Sequence, residues 1–222
     1  MKSLVEKLWV SAYLRQIARV GGTRLGHADL HREQARYEAR GLSWGRDEGF
    51  AKTLATTVLA SASALENEYG CDRAEAVAVV QKALRAVGRR LTYGMTRAWL
   101  WSRRDPFGDL EKVSPLDWMR RMWGNALKAE QHCSEGRIEL TVTDCAFRDY
   151  FWQAGRSDLT PVLCSFDAMW HDVINHAKRG MIADQMAAMG EGARTCRFTY
   201  SRVLQMAESA HGKPLSNQRN LL

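Results

Sequence analysis

Apolar residues recur at three- and four-residue intervals through the first half of the chain, the spacing that puts them on one face of a helix. Leu4, Leu8, Ala12 and Ile17 mark a first helix over 2–20, which Gly21-Gly22 stops. A second amphipathic run covers 28–39. Phe50, Leu54, Val58, Ser61 and Leu65 form the stripe of a third, over 47–67. Asp72 and Glu75 have the spacing of a capping box, and the helix they open carries Val77, Val80, Leu84, Val87 and Leu91, continuing toward Trp101. The clearest break is Arg103-Arg104-Asp105-Pro106-Phe107-Gly108. Ser114-Pro115 then supplies a capping serine and a first-turn proline for a helix whose buried stripe is Leu116, Met119, Trp123 and Leu127.

From Gly136 the period changes from helical to two. Ile138, Leu140 and Val142 alternate with Glu139, Thr141 and Thr143, which predicts a half-buried strand. A short helix over 146–154 follows, closed by Gly155, and then a helix from Pro161 to about Ala177. Strands over 181–186 and 193–203 flank Gly190-Glu191-Gly192 as an antiparallel hairpin. The tail after Gly212-Lys213-Pro214 is polar and reads as loose. The predicted class is α+β: a helical N-terminal half packed on a small antiparallel sheet with flanking helices in the C-terminal half. One domain over 1–222 is expected, with a helical segment 1–104, a second segment 114–203 and the tail 212–222.

At 222 residues the chain can bury a substantial core, and 45% hydrophobic with 26% charged residues is an ordinary globular balance. No apolar run reaches the roughly 18 residues of a membrane span, so membrane partners are not expected. The N-terminus lacks an export-type apolar core, and an odd set of 5 cysteines without a CxxC pair suits free thiols in a reducing cytoplasm. The net charge of +7 is spread over helix faces rather than gathered in a block. That pattern argues for solvated faces and against nucleic acid. Trp99, Trp101, Trp118, Trp123, Trp152 and Trp170 read as core or interface aromatics, because none sits in a base-stacking strand motif. His27 and His31 lack the glutamate of an HExxH site and read as surface.

Chemistry concentrates between Asp144 and Tyr200, where three cysteines arrive in different settings. Cys145 lies where a strand turns into a helix, a position whose dipole favours a thiolate. Asp144 beside it either caps that helix or opposes the shift through its own charge. On the helix from Pro161, Leu163, Phe166, Trp170 and Val173 form a core stripe, and Cys164, Asp167, His171 and Ile174 a second stripe about 100° further round. In the plainer reading Cys164 is a small buried hydrophobe, and Asp167 and His171 face water. Cys196 alternates in phase with Phe198 and Tyr200 and should face inward. His132-Cys133 precedes the first predicted strand.

Taken in order, Asp144-Cys145-Ala146-Phe147 to Phe151, then Leu159, Pro161, Leu163-Cys164 and Asp167, then Gly192 and Cys196-Arg197-Phe198 resemble the L-2-amino-thiazoline-4-carboxylic acid hydrolase family, over about 114–203. The resemblance implies a hydrolase that opens a small cyclic amidine-like C–N heterocycle, taking 2-aminothiazoline-4-carboxylate to N-carbamoyl-cysteine. It maps Cys145, Cys164 and Asp167 onto catalytic positions and Cys196 onto the third cysteine. His171, Arg148 and Phe198 are further candidates for substrate contact, and Arg148, Arg179 or Arg197 for pairing with a substrate carboxylate. The expected partner is a heterocyclic carboxylate, and assembly into homo-oligomers stays open. Whether a cofactor takes part also stays open, with a divalent metal held by thiolates as one alternative. The cysteine pattern is also distantly similar to vinyl-4-reductase-type modules, which implies a binding or sensing role as the second reading.

Overall fold

The computed structural model describes residues 4–46 and 49–203, without the side chains of Arg90, Leu91 and Asp167. Helix α1 spans Leu4–Gly21, α2 His27–Ala39, α3 Phe50–Tyr69 and α4 Arg73–Ser102. The predicted start of α3 at Asp47 and the tail at 212–222 fall outside the described residues. Nearly every residue of α3 from Ala51 to Leu65 is buried. Its Ala, Ser and Thr side chains present little bulk on any face, so α1, α2 and α4 can all close around it. The Ser61 hydroxyl bonds back to the Thr57 carbonyl at 2.7 Å, so this buried polar group costs little. Helix α4 begins as expected, with the Asp72 carboxylate accepting the Glu75 N–H at 2.8 Å, and runs unbroken through Trp101.

Three expectations in this half need correction. The stripe predicted for α1 is rotated: Leu4 and Leu8 are 72% and 62% exposed, whereas Val10, Tyr13, Leu14 and Ile17 are buried. The break at Arg103 to Gly108 is present but shorter: it covers 103–105, and Pro106-Phe107-Gly108 form the first turn of α5 (Pro106–Val113), capped by the Asp105 carboxylate on the Gly108 N–H. Leu127 does not continue α6 (Pro115–Trp123), because Gly124 at φ +56 turns the backbone out of the helix.

The chain then enters a four-stranded antiparallel sheet of order β1-β2-β4-β3, with β1 Leu127–Ser134, β2 Arg137–Cys145, β3 Met181–Ala187 and β4 Cys196–Arg202. Strand β1 is not expected from its sequence. Only Leu127, Ala129 and Gln131 of this edge strand are half-buried, and its residues His132 and Cys133 are exposed. Gly136, at φ +68, turns β1 into β2. Register puts Val142 beside Cys196, Leu140 beside Phe198 and Ile138 beside Tyr200, with Gln185 of β3 on the other side of Phe198. This face meets the helices, while Glu139, Arg197 and Ile182 look outward.

Helix α7 (Ala146–Gln153) follows β2 without a linker, and Gly155 at φ +70 ends it as expected. The single helix predicted from Pro161 is two, α8 (Thr160–Asp167) and α9 (Met169–Ala177), divided at Ala168. Buried apolar residues from α1 through β4 belong to one continuous cluster. The buried guanidinium of Arg156 joins α3 to the α7–α8 connection. It grips Asp158 with two nitrogens at 3.2 and 3.1 Å and lies 2.9 Å from Glu66 Oε1.

Candidate functional site

The sulfurs of Cys145, Cys164 and Cys196 line one cavity of about 40 Å³. Each arrives on a different element. Cys145 ends β2 and caps α7, Cys164 lies inside α8, and Cys196 opens β4. The walls are otherwise mostly apolar, with Leu54 from α3, Trp123 from α6, Leu127 from β1, Phe147, Leu163, Phe166 and Phe198. Trp123 meets Phe147 edge-on at 5.5 Å, so the wall behind Cys145 is a packed aromatic layer. Among the described residues, no charged side chain lines the cavity.

That environment reverses the expectation of a resting thiolate. Burial pushes the Cys145 thiol up to about 11; the backbone N–H groups of Phe147 and Arg148 face the sulfur and pull the other way without prevailing. The hydrogen bond it shares with Cys196 raises Cys164 far above an ordinary thiol, and burial adds to this. Cys196 accepts the Met189 N–H at 3.2 Å. Asp144 neither caps α7 nor opposes the thiol at close range. Its carboxylate turns away to Lys128 and Arg46 at 3.0 and 2.9 Å, and those cations hold it below the usual carboxylate range.

The β3–β4 connection covers the sulfurs. Its turn Met189–Glu191 lies on the start of α8, and Gly190 fits so closely that a Cβ there would meet Cys164 Sγ at 2.9 Å and the Pro161 nitrogen at 2.9 Å. Sequence reasoning read this segment as a hairpin turn only. It also missed two polar wall residues, Thr160 and Gln185. Gln185 was legible, since it continues the inward phase of Met181 and Ala183 with a polar side chain.

Other predicted residues lie elsewhere. His171 is buried but does not line the cavity, because the break at Ala168 carries it away from the Cys164 face; it packs on Phe198 at 5.5 Å and on Trp170 at 4.2 Å. It therefore neither faces water nor reaches a ligand in this pocket. Burial lowers its pKa to about 4. Asp167 ends α8, but its side chain lies outside the described residues. None of the three arginines lines the cavity; Arg148 lies near enough to act on Cys145, touches Met189 Sδ at 3.5 Å and pairs with Asp149. Arg179 covers Trp101 and bonds the Arg103 carbonyl, and Arg197 pairs with Glu139 on the solvent face of the sheet. Trp152 is 73% exposed and Trp101 60%, so neither is core. Among the described residues, no set of three or more His, Cys, Asp or Glu is arranged to hold a metal ion.

The family model of L-2-amino-thiazoline-4-carboxylic acid hydrolase matches residues 51–200. The chain belongs to that family. The match takes in every element that lines the cavity, and it reaches upstream of the resemblance read from sequence to include α3, which supplies Leu54. No curated protein and no solved structure gives a significant match to this L-2-amino-thiazoline-4-carboxylic acid hydrolase family member.

Proposed function

We propose that the protein hydrolyses a small cyclic isothiourea of the 2-aminothiazoline-4-carboxylate kind to its open-chain carbamoyl product. The observation that carries this reading is the convergence of three sulfurs on one apolar cavity in a chain of this family. Cys145 is the nucleophile the geometry favours, since backbone N–H groups face its sulfur while Cys164 is tied to Cys196.

The steps balance without a cofactor. The Cys145 sulfur bonds to the ring carbon between nitrogen and sulfur, and the thiol proton passes to the ring nitrogen. Proton and nucleophile thus leave as a neutral pair, which a buried, mostly apolar site tolerates better than a standing thiolate. Collapse of the adduct breaks the ring C–S bond, and the ring sulfur departs as a thiol with a proton from the exocyclic nitrogen. Water then adds to the carbon attached to Cys145. Release of the Cys145 thiol leaves a carbamoyl group, with one water consumed and no change of oxidation state. Asp167 has the proton-transfer or water-orienting role that the family resemblance implies. In this reading Arg148 exchanges Asp149 for the ring carboxylate.

Turnover of 2-aminothiazoline-4-carboxylate by wild type, Cys145→Ala, Cys164→Ala and Asp167→Asn tests the reading, with circular dichroism to check folding. Loss of Cys145 should reduce kcat/KM at least about 1,000-fold. Full turnover in all three variants would end it. The second reading, a module that binds such a ring unchanged, is favoured by the raised thiols and the narrow cavity. Saturable binding to wild type without product would establish it.

A further inference from the structure

Two residues of the cavity wall each carry a buried polar atom with no partner among the described residues. Thr160 is 3% exposed, and its Oγ1 is buried without a hydrogen bond. Gln185 Nε2 is likewise buried and unpartnered. Both residues line the cavity with the cysteines, one from the first position of α8 and one from β3 next to Phe198. Thr160 is fixed ahead of Pro161 on the helix, and the sheet register keeps Gln185 on the inward face of β3. Native proteins seldom leave buried polar groups unmatched, and such groups often mark where another molecule's polar atoms belong.

We propose that Thr160 Oγ1 and Gln185 Nε2 are ligand contacts that select the amidine edge of the ring. That edge offers an acceptor, the ring nitrogen, and donors on the exocyclic amine. The Gln185 amide N–H donates to the ring nitrogen, and the Thr160 hydroxyl oxygen accepts from the amine. A site built this way rejects a ring that lacks the amine, because Thr160 is then left unmatched in an apolar wall. The contacts also orient the carbon between nitrogen and sulfur toward the cysteines. This inference rests on the ring-opening reading and names the part of the ring that the cavity reads.

The test compares binding of 2-aminothiazoline-4-carboxylate and 2-methylthiazoline-4-carboxylate by calorimetry, in wild type, Thr160→Val and Gln185→Met. Melting temperatures are recorded without ligand. Wild type should prefer the amino ring by at least about 30-fold. Thr160→Val should reduce that preference to a few-fold by weakening the amino ring alone, and Gln185→Met should weaken both rings. Both variants should melt no lower than wild type, since each removes an unmatched buried group. Lower melting in both variants would show internal structural roles and overturn the inference. So would unchanged binding of both rings in variants that still turn over the amino ring, a result that leaves the hydrolase reading intact. The expected binding pattern without any turnover would instead sink the hydrolase reading and keep the contacts. Failure of wild type to bind either ring overturns both.

Discussion

Hydration decides what the individual side chains of this site can do. Cys145 occupies a helix N-terminus, which lowers a thiol pKa, yet it is 8% exposed and the loss of water outweighs the dipole. The consequence is measurable. At pH 8, with no ligand, alkylation followed by peptide mass spectrometry should find Cys145 and Cys164 reacting at least about 100-fold more slowly than the exposed Cys133. Rates within a few-fold of one another would contradict the burial argument. His171 carries a second consequence. Its folded pKa of about 4 lies below the ordinary histidine value, so between roughly pH 6.5 and 4 the unfolded chain binds the extra proton. Its contribution is complete above pH 6.5 and is lost as pH falls toward 4, on the order of 3 kcal/mol. His171→Phe should flatten the urea-unfolding free energy across that window, and a slope equal to wild type would refute the assignment.

Elements place these residues, and several were legible because their signals are local. The Asp72 cap, the Ser114-Pro115 start and the Ile138-Leu140-Val142 alternation each depend on neighbours within a few residues, and each forms as read. Strand β1 was hidden because an edge strand needs no strong alternation, and its pairing with β2 supplies what its sequence lacks. The division at Ala168 was hidden for a different reason. Its backbone stays near helical at φ −75 and ψ −9, so no glycine or proline announces it. The β3–β4 turn shows the site's dependence on an element. Gly190→Ala would press a methyl group against the Cys164 sulfur and the Pro161 backbone. It should cost about 1–3 kcal/mol in chemical denaturation and lower turnover by shifting the cover off the cysteines. A variant as stable and active as wild type would show that this close approach is dispensable.

Across the whole molecule, buried charge ties the helical layer to the motif-bearing half. Arg156, 6% exposed, binds Asp158 and lies against Glu66 of α3, and Arg73 of α4 reaches the same Asp158. Burial alone would raise the Asp158 pKa, but Arg73 and Arg156 overcome it and hold it at about 2. Its stabilisation is therefore present above the ordinary carboxylate range and is lost as pH falls through about 2. Arg156→Met should destabilise by about 3–5 kcal/mol, because two carboxylates lose a buried partner. An unfolding free energy within 1 kcal/mol of wild type would show that Arg73 alone suffices. Among the described residues, no helix is long and apolar enough to cross a membrane.

The sequence by itself determined the elements with local signals, the α+β class and the three cysteines with their family motif. Those features follow from residue spacing and short-range backbone chemistry. Tertiary structure decided which sulfurs meet, that Thr160 and Gln185 join them, that His171 does not, and that the Cys145 and Cys164 thiols are pushed toward the protonated form. Each of those depends on strand register and on exclusion of water by segments distant in the chain, neither of which a local pattern encodes.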